Sequence, residues 1–215
     1  MKKIRILPVR DRVASELRNA IFSGKFEKGY ELRQENLARE LGVSRMPVRE
    51  ALLILASEGI IEIHANRCAV VKEISTKYIM EHFELRIILE CEAVARACKN
   101  TPDVTELEEI HEEQKKAIEA MDMAKTSLCN QAFHMFIWDH SDNTKMKSML
   151  EQLWNGLSIG TVVLPLVHAK QSFEEHELIL QAIKNHKPGF AKKIMKQHIV
   201  RSMQNMIMRA PKNGE

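Results

Sequence analysis

The sequence predicts a mainly α-helical protein, an N-terminal winged helix-turn-helix (three helices plus a small β-hairpin wing) followed by an all-α six-helix bundle. Three observations carry this. Residues Leu37 to Ala51 compress two helices and a tight turn into a few residues, with Gly42 between them. Strand-forming residues cluster only in Ile60–His64 and Cys68–Lys72. From Ser75 onward the pattern is helical, broken only by short polar, proline or glycine stretches. With 215 residues, 45% of them hydrophobic, the chain can bury two modest cores. The expected domains are 1–72 and 77–215, joined by a linker at 73–76.

In the first domain, Val13, Leu17, Ala20 and Ile21 lie on one face of a helix over Val13–Phe22. Leu37, Ala38 and Leu41 do the same for the next helix, which Gly42 ends by permitting a positive φ. Val43 plugs the turn and Ser44 is the expected N-cap of a third helix, whose first turn tolerates Pro47. Arg45 and Arg49, four residues apart, project together from the N-terminal end of that helix. This is the end that such motifs insert into the major groove, where arginine pairs bidentately with guanine. Ile60–His64 and Cys68–Lys72 form a hairpin whose tip, Asn66-Arg67, suits a phosphate backbone or a minor groove. Charge agrees: residues 1–72 carry 14 Lys/Arg against 9 Asp/Glu, whereas the remainder carries 18 against 20. A basic head on a mildly acidic body favours a polyanionic partner for the head.

The residues Gly29-x-x-Leu32-Arg33, then Leu37-Ala38-x-x-Leu41-Gly42-Val43-Ser44-Arg45-x-Pro47-Val48-Arg49-Glu50-Ala51-Leu52 and Glu58-Gly59, resemble the winged helix of GntR-type bacterial transcription regulators. The resemblance spans roughly residues 10–72. It implies that Ser44, Arg45, Met46 and Arg49 face DNA, with Arg33 near the backbone and Asn66 and Arg67 on the wing. Lys28, Met46 and Cys68 stand where that family usually has proline, threonine and glycine.

Six helices are expected in the second domain, at about 76–99, 104–124, 127–141, 144–164, 173–185 and 189–210. The first is apolar nearly all round (Phe83, Leu85, Ile87, Ile88, Leu89, Val94), as befits a central, buried member of a bundle. His134, His176 and His198 occupy inward or boundary faces of three different helices. Such a set can converge on a divalent ion, since neutral imidazole suits Zn, Ni, Fe or Mn. His82, His111, His140, His168 and His186 read individually as core or surface histidines. Arg86 lies at i+4 from His82 and i−4 from Glu90, so it either pairs with Glu90 or points into a cavity to anchor a ligand carboxylate.

Asn130-x-x-Phe133-His134, Ser141-x-Asn143, Glu175-His176 and His198-Ile199 resemble the FCD effector domain of the FadR branch of GntR regulators, over roughly 76–208. Six helices rather than seven point to its VanR-type subgroup. That resemblance implies a metal held by Asn130, His134, His176 and His198, with an effector acid above it. Asn130 stands where the family has aspartate, which leaves the ion one more positive charge for an anionic ligand.

The expected protein is a ligand-responsive transcription regulator that binds a palindromic operator in double-stranded DNA as a homodimer. It would be a repressor released by a small carboxylate held by the metal and Arg86. One alternative is a regulator that senses the metal itself. A remote one is a helical-bundle metalloenzyme, for which Glu175 is the only obvious base. No run of about 18 apolar residues and no CxxC pair occurs, so a cytoplasmic protein with reduced cysteines and no membrane partner is expected.

Overall fold

The structure is a computed structural model, described here for residues 8–64, 68–101, 103–154 and 166–209. It divides into two compact units, one reaching Thr76 and the other beginning at Lys77.

The first unit holds helices α1 (Val9–Phe22), α2 (Gln34–Glu40) and α3 (Arg45–Ser57) and strands β1 (Glu31–Arg33), β2 (Ile61–His64) and β3 (Cys68–Val71). The wing is therefore part of a three-stranded antiparallel sheet of order β1-β3-β2, not a bare hairpin. Ala69 of the central strand faces Leu32 on one side and Ile63 on the other. Leu32, Ala69, Ile61 and Val71 turn inward against Leu17, Ile21, Leu37, Val48, Leu52 and Leu55 to form one core. The extra strand, with only Leu32 pointing inward, is too short to give an alternating pattern in sequence. α1 begins at Val9, earlier than expected, and its interior also buries Arg18. Arg18 donates from Nε and Nη2 to the Glu58 carboxylate, at 3.0 and 2.6 Å, tying α1 to the end of α3.

The second unit holds α4 (Thr76–Asn100), α5 (Thr105–Glu119), α6 (Met123–Asp139), α7 (Thr144–Leu153), α8 (Leu166–Lys184) and α9 (Pro188–Arg209). It corrects three expectations, two of them boundaries. α5 ends at Glu119 and α6 starts at Met123, because Met121 takes a positive φ of 55° and the Asp122 side chain caps the Lys125 N–H at 2.9 Å. α8 begins well before Phe173; its first turns pack inward through the small residues Ala169 and Ser172. α4 is not buried all round: Ile79, Phe83, Arg86, Glu90, Ala93, Val94 and Ala97 face inward, while Leu85 and Ile88 are 53% and 65% exposed. The expected end of α7 near residue 164 lies outside the described residues.

Candidate metal centre and nucleic-acid interface

In the first unit, the turn between α2 and α3 follows from Gly42, whose φ of 64° reverses the chain. The Val43 N–H bonds the Ala38 carbonyl at 3.0 Å and the Gly42 N–H bonds that of Arg39 at 3.4 Å, so the last carbonyls of α2 are satisfied as α3 starts. Ser44 occupies the N-cap position with extended backbone, but its hydroxyl makes no cap bond. The capping expected of it is not realised, and the hydroxyl is left exposed beside Arg45, Met46 and Arg49. Met46 is 60% exposed. Arg45, Met46 and Arg49 line a groove of about 560 Å³ completed by Ile63, His64 and Cys68 of the sheet. Two of the arginines are held by neighbours: Arg45 Nη1 donates to Glu35 at 2.8 Å and Arg33 to Glu31 at 2.8 Å. Asn66 and Arg67 lie outside the described residues.

In the second unit, α6, α8 and α9 bring His134, His176 and His198 together with one ring nitrogen of each within 4.8 Å of the others. All three are buried. Their ring centroids are 5.0 to 5.4 Å apart, and Phe133 stacks on His176 at 4.0 Å. Behind each ring sits an acceptor. His134 Nδ1 lies 2.9 Å from Glu90 Oε2, His176 Nδ1 2.9 Å from Gln114 Oε1, and His198 Nδ1 2.6 Å from Glu175 Oε2. In the tautomer in which each acceptor receives a hydrogen bond from Nδ1–H, every Nε2 presents a lone pair toward the other two rings.

His134 Nε2 and His198 Nε2 stand 3.3 Å apart, and His176 Nε2 is buried without a hydrogen-bond partner. Burial, with the neighbouring histidines and Arg201, holds His176 well below its ordinary value; burial likewise pushes His198 down to about 4. Both rings are therefore neutral at neutral pH, and the donor set fits a borderline divalent ion. Asn130 sits half-buried on α6, one turn before His134.

The carboxylates behind the histidines are themselves balanced. Glu90, fully buried, would be raised by burial, but His134 and Arg86 outweigh this and hold it well below the carboxylate range. Arg86 Nη2 donates to Glu90 Oε1 at 2.7 Å, so the pairing alternative holds for that contact, and its guanidinium lies 5.0 Å from the Trp154 ring. Glu175 is lowered to about 2, because hydrogen bonds from Arg201 and His198 overcome its burial. Being tied behind His198, Glu175 is not available as a base. Of the remaining histidines, His140 and His186 bond backbone carbonyls at 2.8 and 2.7 Å, and His111 stacks on Phe173 at 4.1 Å. The sequence reading missed Gln114, Glu175 and Arg201 as supports; the stripe Leu107, His111, Gln114, Ile118 on α5 was the available signal for Gln114.

Residues 9–71 match the model of bacterial regulatory proteins of the gntR family, and residues 81–201 match that of the FCD domain. The chain belongs to the GntR family and carries an FCD domain. It is 32% identical over 179 residues to the HTH-type transcriptional regulator McbR of Escherichia coli, covering 80% of this chain and 81% of that one. It is 37% identical over 186 residues to the gluconate operon transcriptional repressor of Bacillus subtilis, covering 80% and 74%. The solved structure of E. coli McbR/YncC superposes with a TM-score of 0.76 at 27% identity, over 95% of this chain and 99% of that one. These relatives are FadR-like transcription regulators, not enzymes, and GntR regulators bind DNA. No helix among the described residues is long and apolar enough to cross a membrane.

Proposed function

We propose that this GntR regulator is a ligand-released repressor whose FCD domain binds a divalent ion and, over it, a small carboxylate. The observation that carries this reading is the convergence of one ring nitrogen from each of three buried histidines within 4.8 Å, with His176 Nε2 lacking any hydrogen-bond partner. His134, His176 and His198 hold the ion, and Asn130 offers a neutral amide oxygen as fourth ligand. When bound, the ion acts as a Lewis acid that attracts an anion. Asn130 is neutral, and Glu90 and Glu175 are matched by Arg86 and Arg201. The positive charge of the ion is thus left for the ligand, with Arg86 as the organic anchor. The name of the gluconate operon repressor is consistent with a sugar acid as one member of the class.

On the DNA side, Arg45 and Arg49 read bases, Met46 makes apolar contact, and Ser44 and Arg33 touch phosphate; Asn66 and Arg67 extend the contact along the wing. A homodimer on a palindromic operator gives these contacts their two-fold spacing. The exposed Leu85 and Ile88 of α4 offer apolar surface for the dimer. Effector binding shifts the population of DNA-competent dimers by binding the two states unequally.

Native mass spectrometry of freshly purified protein, with metal analysis of wild type and His176→Ala, tests this. A dimer mass, a divalent ion in wild type and its loss in the variant are expected. Equal metal content in the two, or none in metal-supplemented wild type, overturns the site. Operator affinity that tracks free metal with no organic acid present would instead favour direct metal sensing.

A further inference from the structure

Glu90 is the residue where the two halves of the effector site meet. Its side chain is fully buried, and its two oxygens serve different partners: Oε1 accepts from Arg86 Nη2 at 2.7 Å, and Oε2 from His134 Nδ1 at 2.9 Å and Trp138 Nε1 at 3.0 Å. The other two histidines have no such link. Gln114 behind His176 is neutral, and Glu175 behind His198 is clasped by Arg201 through both oxygens. Only the carboxylate behind His134 shares its charge with the residue that the effector is proposed to engage.

We propose that Glu90 is the positioning residue that fixes His134 for the metal and couples metal affinity to the occupancy of Arg86 by an anion. This rests on the three-histidine reading above. Two consequences follow from the hydrogen bonds. Accepting the hydrogen bond from His134 Nδ1–H turns the Nε2 lone pair toward the ion, a carboxylate–histidine arrangement of the kind that tunes metal affinity by 10–100-fold. Glu90 also divides its charge between Arg86 and His134. An anion that draws the Arg86 guanidinium toward itself leaves more of that charge to His134, making the imidazole a stronger ligand. The ion in turn polarises His134, strengthens its Nδ1–H bond to Oε2 and loosens the hold on Arg86. The coupling is reciprocal, and its sign is positive.

The test uses metal-free, full-length protein titrated calorimetrically with Zn²⁺ alone, with the emission of Trp138 and Trp154 as a second readout, since both rings stand beside His134. Glu90→Gln is expected to weaken zinc by about 10–100-fold. Arg86→Met, which removes the competing cation as an anion would neutralise it, is expected to tighten zinc by about fivefold or more. In Glu90→Gln/Arg86→Met that gain disappears. A merely structural ion pair predicts the opposite sign for Arg86→Met, because breaking it would loosen the site. Circular dichroism establishes folding; if Glu90→Gln does not fold, the sign of the Arg86→Met shift decides. His176→Ala separates the two claims. If it binds zinc like wild type, the three-histidine site itself falls. If it loses zinc while Glu90→Gln keeps wild-type affinity, or Arg86→Met is unchanged or weaker, the site stands and the role of Glu90 is refuted.

Discussion

Acid should unfold the metal-free effector domain at a pH where ordinary carboxylates are still charged, and histidines set the size of the effect. His82 and His198 are both pushed down to about 4, chiefly by burial, from an ordinary 6.5. Between those values the unfolded chain binds protons that the folded chain refuses, so stability rises with pH through this window and is lost as pH falls. Moving from about pH 7.5 to about pH 5 costs about 2 kcal/mol for each of the two groups by that linkage. His176, held lower still, adds to the loss. Glu90 and Glu175, held low in the fold, contribute stability that is present above their unfolded value of 4.5 and is lost further down. By about pH 5 they account for only a few tenths of a kcal/mol. Urea unfolding followed by tryptophan emission measures the right unit, because Trp138 and Trp154 are the chain's two tryptophans and both lie in it. The expected result is a loss of about 4 kcal/mol or more, reduced by roughly 2 in His198→Gln. An unfolding free energy equal at the two pH values would refute the burial and neutral state assigned to these rings.

Four further outcomes are expected. Arg49→Ala should cost ~1–3 kcal/mol on the operator and relax its specificity, whereas Glu35→Gln, by releasing Arg45, should strengthen binding to unrelated DNA; salt-controlled fluorescence titrations read both. Arg18→Met removes the bidentate guanidinium that ties α1 to Glu58 and should destabilise the first unit by ~3–5 kcal/mol in denaturant melts, with the metal content of the second unit unchanged. Asn130→Asp should bind metal more tightly than wild type in a chelator competition, because an anionic oxygen replaces a neutral one; equal or weaker binding removes Asn130 from the ligand set.

What the sequence made legible was local. Gly42 with Val43 and Ser44 announces the turn because a glycine in the left-handed region and a following helix start are both set within a few residues. The six bundle helices show through their apolar spacing for the same reason. The break between α5 and α6 was misplaced because the residue adopting the positive φ is Met121, which carries no turn signal. The exposed Leu85 and Ile88 made α4 look buried all round, since sequence does not distinguish an apolar residue in a core from one left on the surface. The histidines could be grouped by helix and face, but their supports could not. Glu90 and His134 are 44 residues apart, and Gln114 and His176 are 62 apart, so no periodicity links them.

Those supports bear on what the proposed site would ask of a ligand. A three-histidine site with a carboxylate among its ligands would meet part of a divalent charge from within the protein. Here the described carboxylates stand one bond further back, behind Nδ1, and each is matched by an arginine. Glu90 is matched by Arg86 and Glu175 by Arg201, so a dication held by the three rings would create a demand that a neutral ligand cannot meet. On the proposed reading a small anion would meet it and, through Arg86, would reach Glu90, the carboxylate behind His134. If Asn130 stands in the ligand set as proposed, its neutral amide would weaken the site relative to an aspartate and make occupancy depend more steeply on the acid, as a regulator that reports the acid and not the metal would require.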